Sequence, residues 1–271
     1  MEALSNLLNE ISDWFSAYVP TFYSDDKNVQ DAILMKEEHT AKVREISREL
    51  ALHLGLSERD VVMAELIGLL HDVGRFRQYQ QYHTFVDYLS EDHAALGIKV
   101  ISEQPFLEKL RPEDRYLIFY AIQYHNKKTI AFSPDKRVLL FAKIIRDADK
   151  LDIYRVLEPF LTPPDGSGVS PLFQQHFVDA KQADYFSVKT NEDKKIVRLM
   201  WAYDINFSWT LQKIVEHGYY DKIYKNLPHT LEIAQGMNKL CAYVMKKCAE
   251  KDTVDLSEIS REAETYIVEN K

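Results

Sequence analysis

Cysteine is nearly absent: Cys241 and Cys248 are the only two in 271 residues. Two thiols cannot build a disulfide framework. Seven residues apart, they would share one helix face, so they read as reduced, partly buried side chains. Glycine and proline are also scarce, at 8 and 9 residues, fewer than the turns of an all-β chain of this length need. No window approaches the ~20 apolar residues of a membrane span. The opening MEALSNLLNEISDWF is acidic and amphipathic and lacks the basic start and apolar stretch of a signal peptide. The expected setting is therefore the cytoplasm, with no membrane partner. Positive charge is in deficit, 34 Lys and Arg against 42 Asp and Glu, for a net charge of −8. That argues against duplex nucleic acid as a partner, which calls for a basic surface. A small phosphorylated ligand stays admissible, because local charge or a metal can outweigh the global balance.

What is present is ordinary for a globular chain, 46% hydrophobic and 28% charged, and long enough to bury a substantial core. Apolar spacing predicts a helix over 31–54, stopped by Gly55, with Ile33, Leu34, Val43, Ile46, Leu50 and Leu54 on its inner face. Ser57 opens a second helix, apolar nearly all round and hence central. It ends at HDVG, where Gly74 is expected to close it in the left-handed conformation. A polar, aromatic loop (RFRQYQQYHTFVDYL) is expected next, then helices capped near Ser90, opened by Pro112 and opened by Pro134. The Pro/Gly-rich stretch 158–171 reads as a mobile loop, 182–191 as room for a short strand, 192–250 as further helices, and SEISREAETYIVENK as a solvated terminal helix. The expected fold is all-α. A helical extension (1–30) precedes one compact core (31–157), and C-terminal helices (158–271) complete the same domain. Homo-oligomer formation is left open.

One pattern stands out from this background. His71 and Asp72 are adjacent at the end of the buried helix. Alone, the pair could be structural, with Asp72 capping a neighbour and His71 satisfying a carbonyl. However, His39, His93, His125 and Asp149 each fall toward the inner side or terminus of a different predicted helix. Helical proteins build core metal sites in this way, one or two ligands per helix. The set is all imidazole and carboxylate, which suits one or two divalent ions among Fe, Mn, Co, Ni, Zn or Mg, and not a cysteine-rich structural zinc cage.

The order His39…His71-Asp72…Asp149, in the contexts MKEEHTAKVREIS, LIGLLHDVGRFRQY and IIRDADKLDIYRVL, resembles the HD-domain superfamily of metal-dependent phosphohydrolases over about residues 30–155. The resemblance implies that His39, His71, Asp72 and Asp149 hold a first metal. It also implies that His93 and His125 hold a second bridged by Asp72, as in binuclear members. Alternatively, these two histidines contact phosphate directly. It favours Asp149 over Asp147 as the ligand. Arg75, directly after HDVG, is the first candidate for gripping phosphate, followed by Lys150, Lys127 and Lys128; His83 is a further pocket candidate. Asp72, Arg75 and Lys150 are the expected catalytic set, and Arg75, His83, Lys127 and Lys128 the expected substrate contacts. His53, His176, His217 and His229 have no nameable partners.

The implied activity is hydrolysis of a small phosphorylated substrate, foremost a nucleotide, as a phosphomonoesterase or phosphodiesterase using water activated on the metal. The chain lacks the Gly-Tyr-Pro signature of cyclic-di-GMP members and any evident synthetase partner of alarmone enzymes. Two alternatives share the ligand array: a di-iron oxygenase like myo-inositol oxygenase, and a non-catalytic nucleotide sensor.

Overall fold

The computed structural model describes residues 2–181 and 185–254, and within them every regular element is a helix, as composition implied. Helix α1 (Glu2–Tyr18) buries Leu4, Leu7, Leu8, Ile11 and Phe15, a three–four spacing that lays one apolar stripe against the core. A short 3-10 turn, Val19–Phe22, leads to α2 (Lys27–His53), whose N-terminus is capped by Asp26 accepting from the amides of Asn28 and Val29. The buried face of α2 carries Ile33, His39, Thr40, Val43, Ser47, Leu50 and Ala51, while Leu34, expected inside, is exposed. Helix α3 (Glu58–Leu70), capped by Ser57, packs along α2 and is buried on nearly every side.

The next stretch departs from expectation. Gly74 does not close α3 in a left-handed turn. His71 and Asp72 form the junction, and a new helix, α4 (Val73–Tyr82), begins at once where a loop was expected. Hydropathy hides this helix because its inner face is partly polar: Gln78 is fully buried alongside Phe76. Gln78 Nε2 donates to Asp87, Ser90 and the Glu91 carbonyl, so its burial leaves nothing unpaired. Gly74 serves instead as a contact point. A Cβ there would meet the His93 carbonyl oxygen at 2.2 Å and the Gly97 nitrogen at 2.5 Å, so only glycine lets α4 lie against α5 (His93–Ser102).

Helices α6 (Pro112–His125) and α7 (Lys136–Leu157) follow. Arg146 on α7 is buried, and its guanidinium donates to the carbonyls of Tyr124, His125, Lys127 and Lys128 at the end of α6, a site that favours a cation and fixes where His125 stands.

The chain divides into two compact units, one reaching Asp152 and the other spanning Ile153–Asp252, with the division inside α7. The second unit comprises the end of α7 and α8 (Pro171–Asp179), α9 (Asn191–Met200), α10 (Ser208–Glu216), α11 (Tyr219–Lys225) and α12 (Leu231–Cys248). The stretch 158–171 is not the mobile loop its composition suggested. Buried Glu192 accepts from the Asp165 amide and the Ser167 hydroxyl, buried Asp193 accepts from the Ser170 amide, and Lys195 Nζ donates to the Thr162 carbonyl. Tyr185–Ser187 forms a 3-10 turn, so no strand exists among the described residues of 182–191. The expected terminal helix lies outside the described residues. Cys241 is exposed and Cys248 half-buried, both free. No described helix is long and apolar enough to cross a membrane.

Candidate metal centre

Four helices and one junction bring the predicted ligands together. His39 comes from α2, His71 and Asp72 from the α3–α4 junction, His93 from the first residue of α5, His125 from the last of α6, and Asp149 from the inner face of α7. All but Asp149, which is half-buried, are buried. Asp72 lies between two groups. Its Oδ2 is 3.6 Å from His39 Nε2 and 3.6 Å from His71 Nε2; its Oδ1 is 3.4 Å from His93 Nε2 and 3.6 Å from His125 Nε2. Asp149 Oδ1 stands 3.1 Å from His39 Nε2 and 3.8 Å from His71 Nε2. Two triads therefore have the spacing to hold an ion, His39/His71/Asp72 and Asp72/His93/His125, with Asp72 common to both.

The outer nitrogen of every imidazole is anchored. His71 Nδ1 donates to the Gly68 carbonyl at 2.8 Å and His125 Nδ1 to the Ile122 carbonyl at 2.6 Å. His39 Nδ1 pairs with Asp152 Oδ2 at 2.7 Å, and His93 Nδ1 with Asp87 at 2.8 Å. Carbonyls and carboxylates only accept, so all four rings carry their proton on Nδ1 and turn an Nε2 lone pair inward. Within the described residues, His39 Nε2 and His71 Nε2 are buried with no hydrogen-bond partner. His93 Nε2 and His125 Nε2 face one another at 2.9 Å. Two lone pairs so close repel, whereas two nitrogens each about 2.1 Å from one cation and at right angles lie about 3.0 Å apart. The residues fit a divalent ion on both counts.

At His71 and His93 the electrostatics agree. Burial pushes His71 and His93 down to about 4, so both stay neutral near neutral pH, as ligands must. Burial and Lys36 also press on His39, but Asp149 and Asp152 outweigh them and raise it. Burial would raise Asp72; Lys36, His71, His125 and Arg75 overcome this and hold it well below the usual carboxylate range. Asp149 is likewise lowered, by its contact with His39, against the opposing effect of burial.

The remaining candidates scatter. Arg75 Nε is buried without a hydrogen-bond partner 3.5 Å from Asp72 Oδ1, and its Nη1 donates to the Phe85 carbonyl, Gln78 and Asp87. Lys127 is drawn to Asp92. Lys128 is exposed, and Lys150 is half-buried beside Asp149 in sequence. His83 is exposed at the end of α4 in a left-handed conformation, its ring against Tyr79, and is not brought to the cluster. Asp147, the residue passed over in favour of Asp149, is fully buried.

Four contributors had not been singled out. Lys36, one turn before His39, places Nζ 2.8 Å from Asp72 Oδ2. Asp152, one turn after Asp149, holds His39. The i±3 helical neighbours of the predicted ligands include both. Asp87, which joins His93, Arg75, Gln78 and Asn126, and Arg146, which holds the end of α6, carry no such local signal.

No curated protein and no solved structure matches the chain. Residues 37–154 match the family model described as HD domain, a stretch that contains all six residues of the cluster. The stretch that brings the cluster together is thus similar to HD domains.

Proposed function

We propose that the chain is a metal-dependent phosphohydrolase acting on a small phosphorylated substrate, foremost a nucleotide. The observation that carries this reading is the placement of Asp72, with one oxygen toward His39 and His71 and the other toward His93 and His125. His39, His71, Asp72 and Asp149 would hold one divalent ion, and Asp72, His93 and His125 a second. Ions so held supply an acidified water and draw charge from phosphoryl oxygens. The chain's own residues do the rest. Arg75, its Nη1 fastened by Asp87 and Gln78, keeps Nε free at Asp72 to take a phosphoryl oxygen. Asp152 and Asp87 fix the rings of His39 and His93, which prevents the inner nitrogens from turning away.

The test is a phosphatase and phosphodiesterase panel with Mn, Co, Ni, Fe and Mg in turn, aerobically and anaerobically. Release of phosphate or nucleotide without O2 is expected, and no release with any metal overturns the reading. Asp72→Ala should cut turnover at least about a hundredfold, since even residues that merely support ligands cost 10–100-fold. Retained turnover in that variant counts equally against the assignment.

A further inference from the structure

Lys36 lies immediately before the stretch that matches the HD domain, on the turn of α2 that precedes His39. Its side chain is 13% exposed and its ammonium sits 2.8 Å from Asp72 Oδ2, the oxygen that faces His39 and His71. An ammonium carries three donors, and among the described residues Asp72 is the one acceptor it reaches. Lys36 does not stand in the place of an ion, because the inner nitrogens of His39 and His71 remain without partners. It takes one lone-pair direction of Oδ2 and leaves the inner side of the triad to a cation.

Arg75 mirrors it on the other oxygen, with Nε 3.5 Å from Asp72 Oδ1 and no hydrogen bond. Phe85 lies by both cations, its ring centre 5.5 Å from Lys36 Nζ and 5.9 Å from Arg75 Cζ. Two positive side chains thus converge on the carboxylate that two triads share. Beside a divalent ion, a shielded ammonium is repelled, and an anion lying against both reconciles them.

We propose that Lys36 is a phosphate-binding residue, paired with Arg75 across Asp72, and that it makes binding of the ion and of the phosphate interdependent. The proposal rests on the hydrolase reading above and adds to it a residue and a sign. Lys36 opposes the ion while the phosphate is absent and is satisfied once it arrives. A lysine serving only to hold the fold would not produce opposite effects on two ligands.

The test uses the full chain, stripped of metal, as wild type, Lys36→Met and Lys36→Arg. Cobalt(II) is titrated in and followed by its visible absorption; inorganic phosphate is then titrated into the cobalt-loaded protein by calorimetry. Lys36→Met should bind cobalt severalfold more tightly and phosphate at least about tenfold more weakly, the loss of one charge-assisted hydrogen bond. Lys36→Arg should restore phosphate binding to within a few-fold of wild type. Unchanged phosphate affinity in Lys36→Met overturns the proposal, as does a parallel fall in cobalt and phosphate affinity. Wild-type protein that takes cobalt but no phosphate overturns the hydrolase reading and this proposal with it. Phosphate bound equally well by wild type and Lys36→Met overturns this proposal alone.

Discussion

At the scale of single residues, the centre depends as much on what holds the ligands as on the ligands. Asp87 accepts from His93, Arg75, Gln78 and Asn126, so one carboxylate orients an inward-facing imidazole and the guanidinium beside it. Replacing it by asparagine keeps the shape but removes the charge that faces both. We expect Asp87→Asn to lower hydrolysis about 10–100-fold, with KM raised because Arg75 is loosened as well. Steady-state kinetics with metal analysis checks this, and unaltered kinetics would remove Asp87 from the assembly. The contrast with His39, His71 and Asp149 explains what could be read in advance. Those residues sit in local patterns whose spacing places them on inner helix faces. Asp87 gains its partners from α4, α5 and the end of α6, and nothing within several residues of it in sequence records that meeting.

At the scale of elements, the junction between α3 and α4 is the tightest constraint. The two helices are joined by only His71 and Asp72, and α4 can approach α5 only because residue 74 lacks a side chain. Gly74→Ala would force a Cβ against backbone atoms of His93 and Gly97 that cannot rotate aside. A loss of about 1–3 kcal/mol or more is expected, together with displacement of His93. Thermal unfolding and the number of bound ions check it, and a variant as stable as wild type with full metal content would contradict the packing account. Elements were legible where apolar residues recur at helical spacing, as in α2 and α7, or run unbroken from a clear cap, as in α3. Helix α4 was not, because its inner face uses a buried glutamine whose hydrogen bonds substitute for apolar contact. Nor was the anchoring of 158–171, where glycine and proline signalled freedom while carboxylates at the start of α9 removed it.

At the scale of the whole molecule, neutral buried imidazoles tie stability to pH. His71 and His93 titrate near 4 in the fold, against about 6.5 when unfolded. The unfolded chain therefore binds protons first as pH falls. Their contribution is complete above about 6.5 and is lost progressively as pH drops toward 4, by about 2 kcal/mol per histidine at pH 5. His39, raised in the fold, works in the opposite sense: its contribution is present below about 6.5 and fades as pH rises through its folded value. The metal-free protein should thus melt at a distinctly lower temperature at pH 5 than at pH 7.5. A flat profile would show that the two imidazoles are not kept neutral by burial. Added divalent metal should raise the melting temperature most at the higher pH, where the ligands are free of protons.

The pairing of His39 with Asp152 has a consequence in time. The two are 113 positions apart along the chain, which a ribosome covers in roughly 6–23 seconds at about 5–20 residues per second. For most of that interval α2 and α3 have been made, while the carboxylates of α7 that hold and face His39 have not. If these residues hold ions as proposed, an ion met during synthesis would find only part of its cage, and loading would belong to the finished first unit and not to the nascent chain.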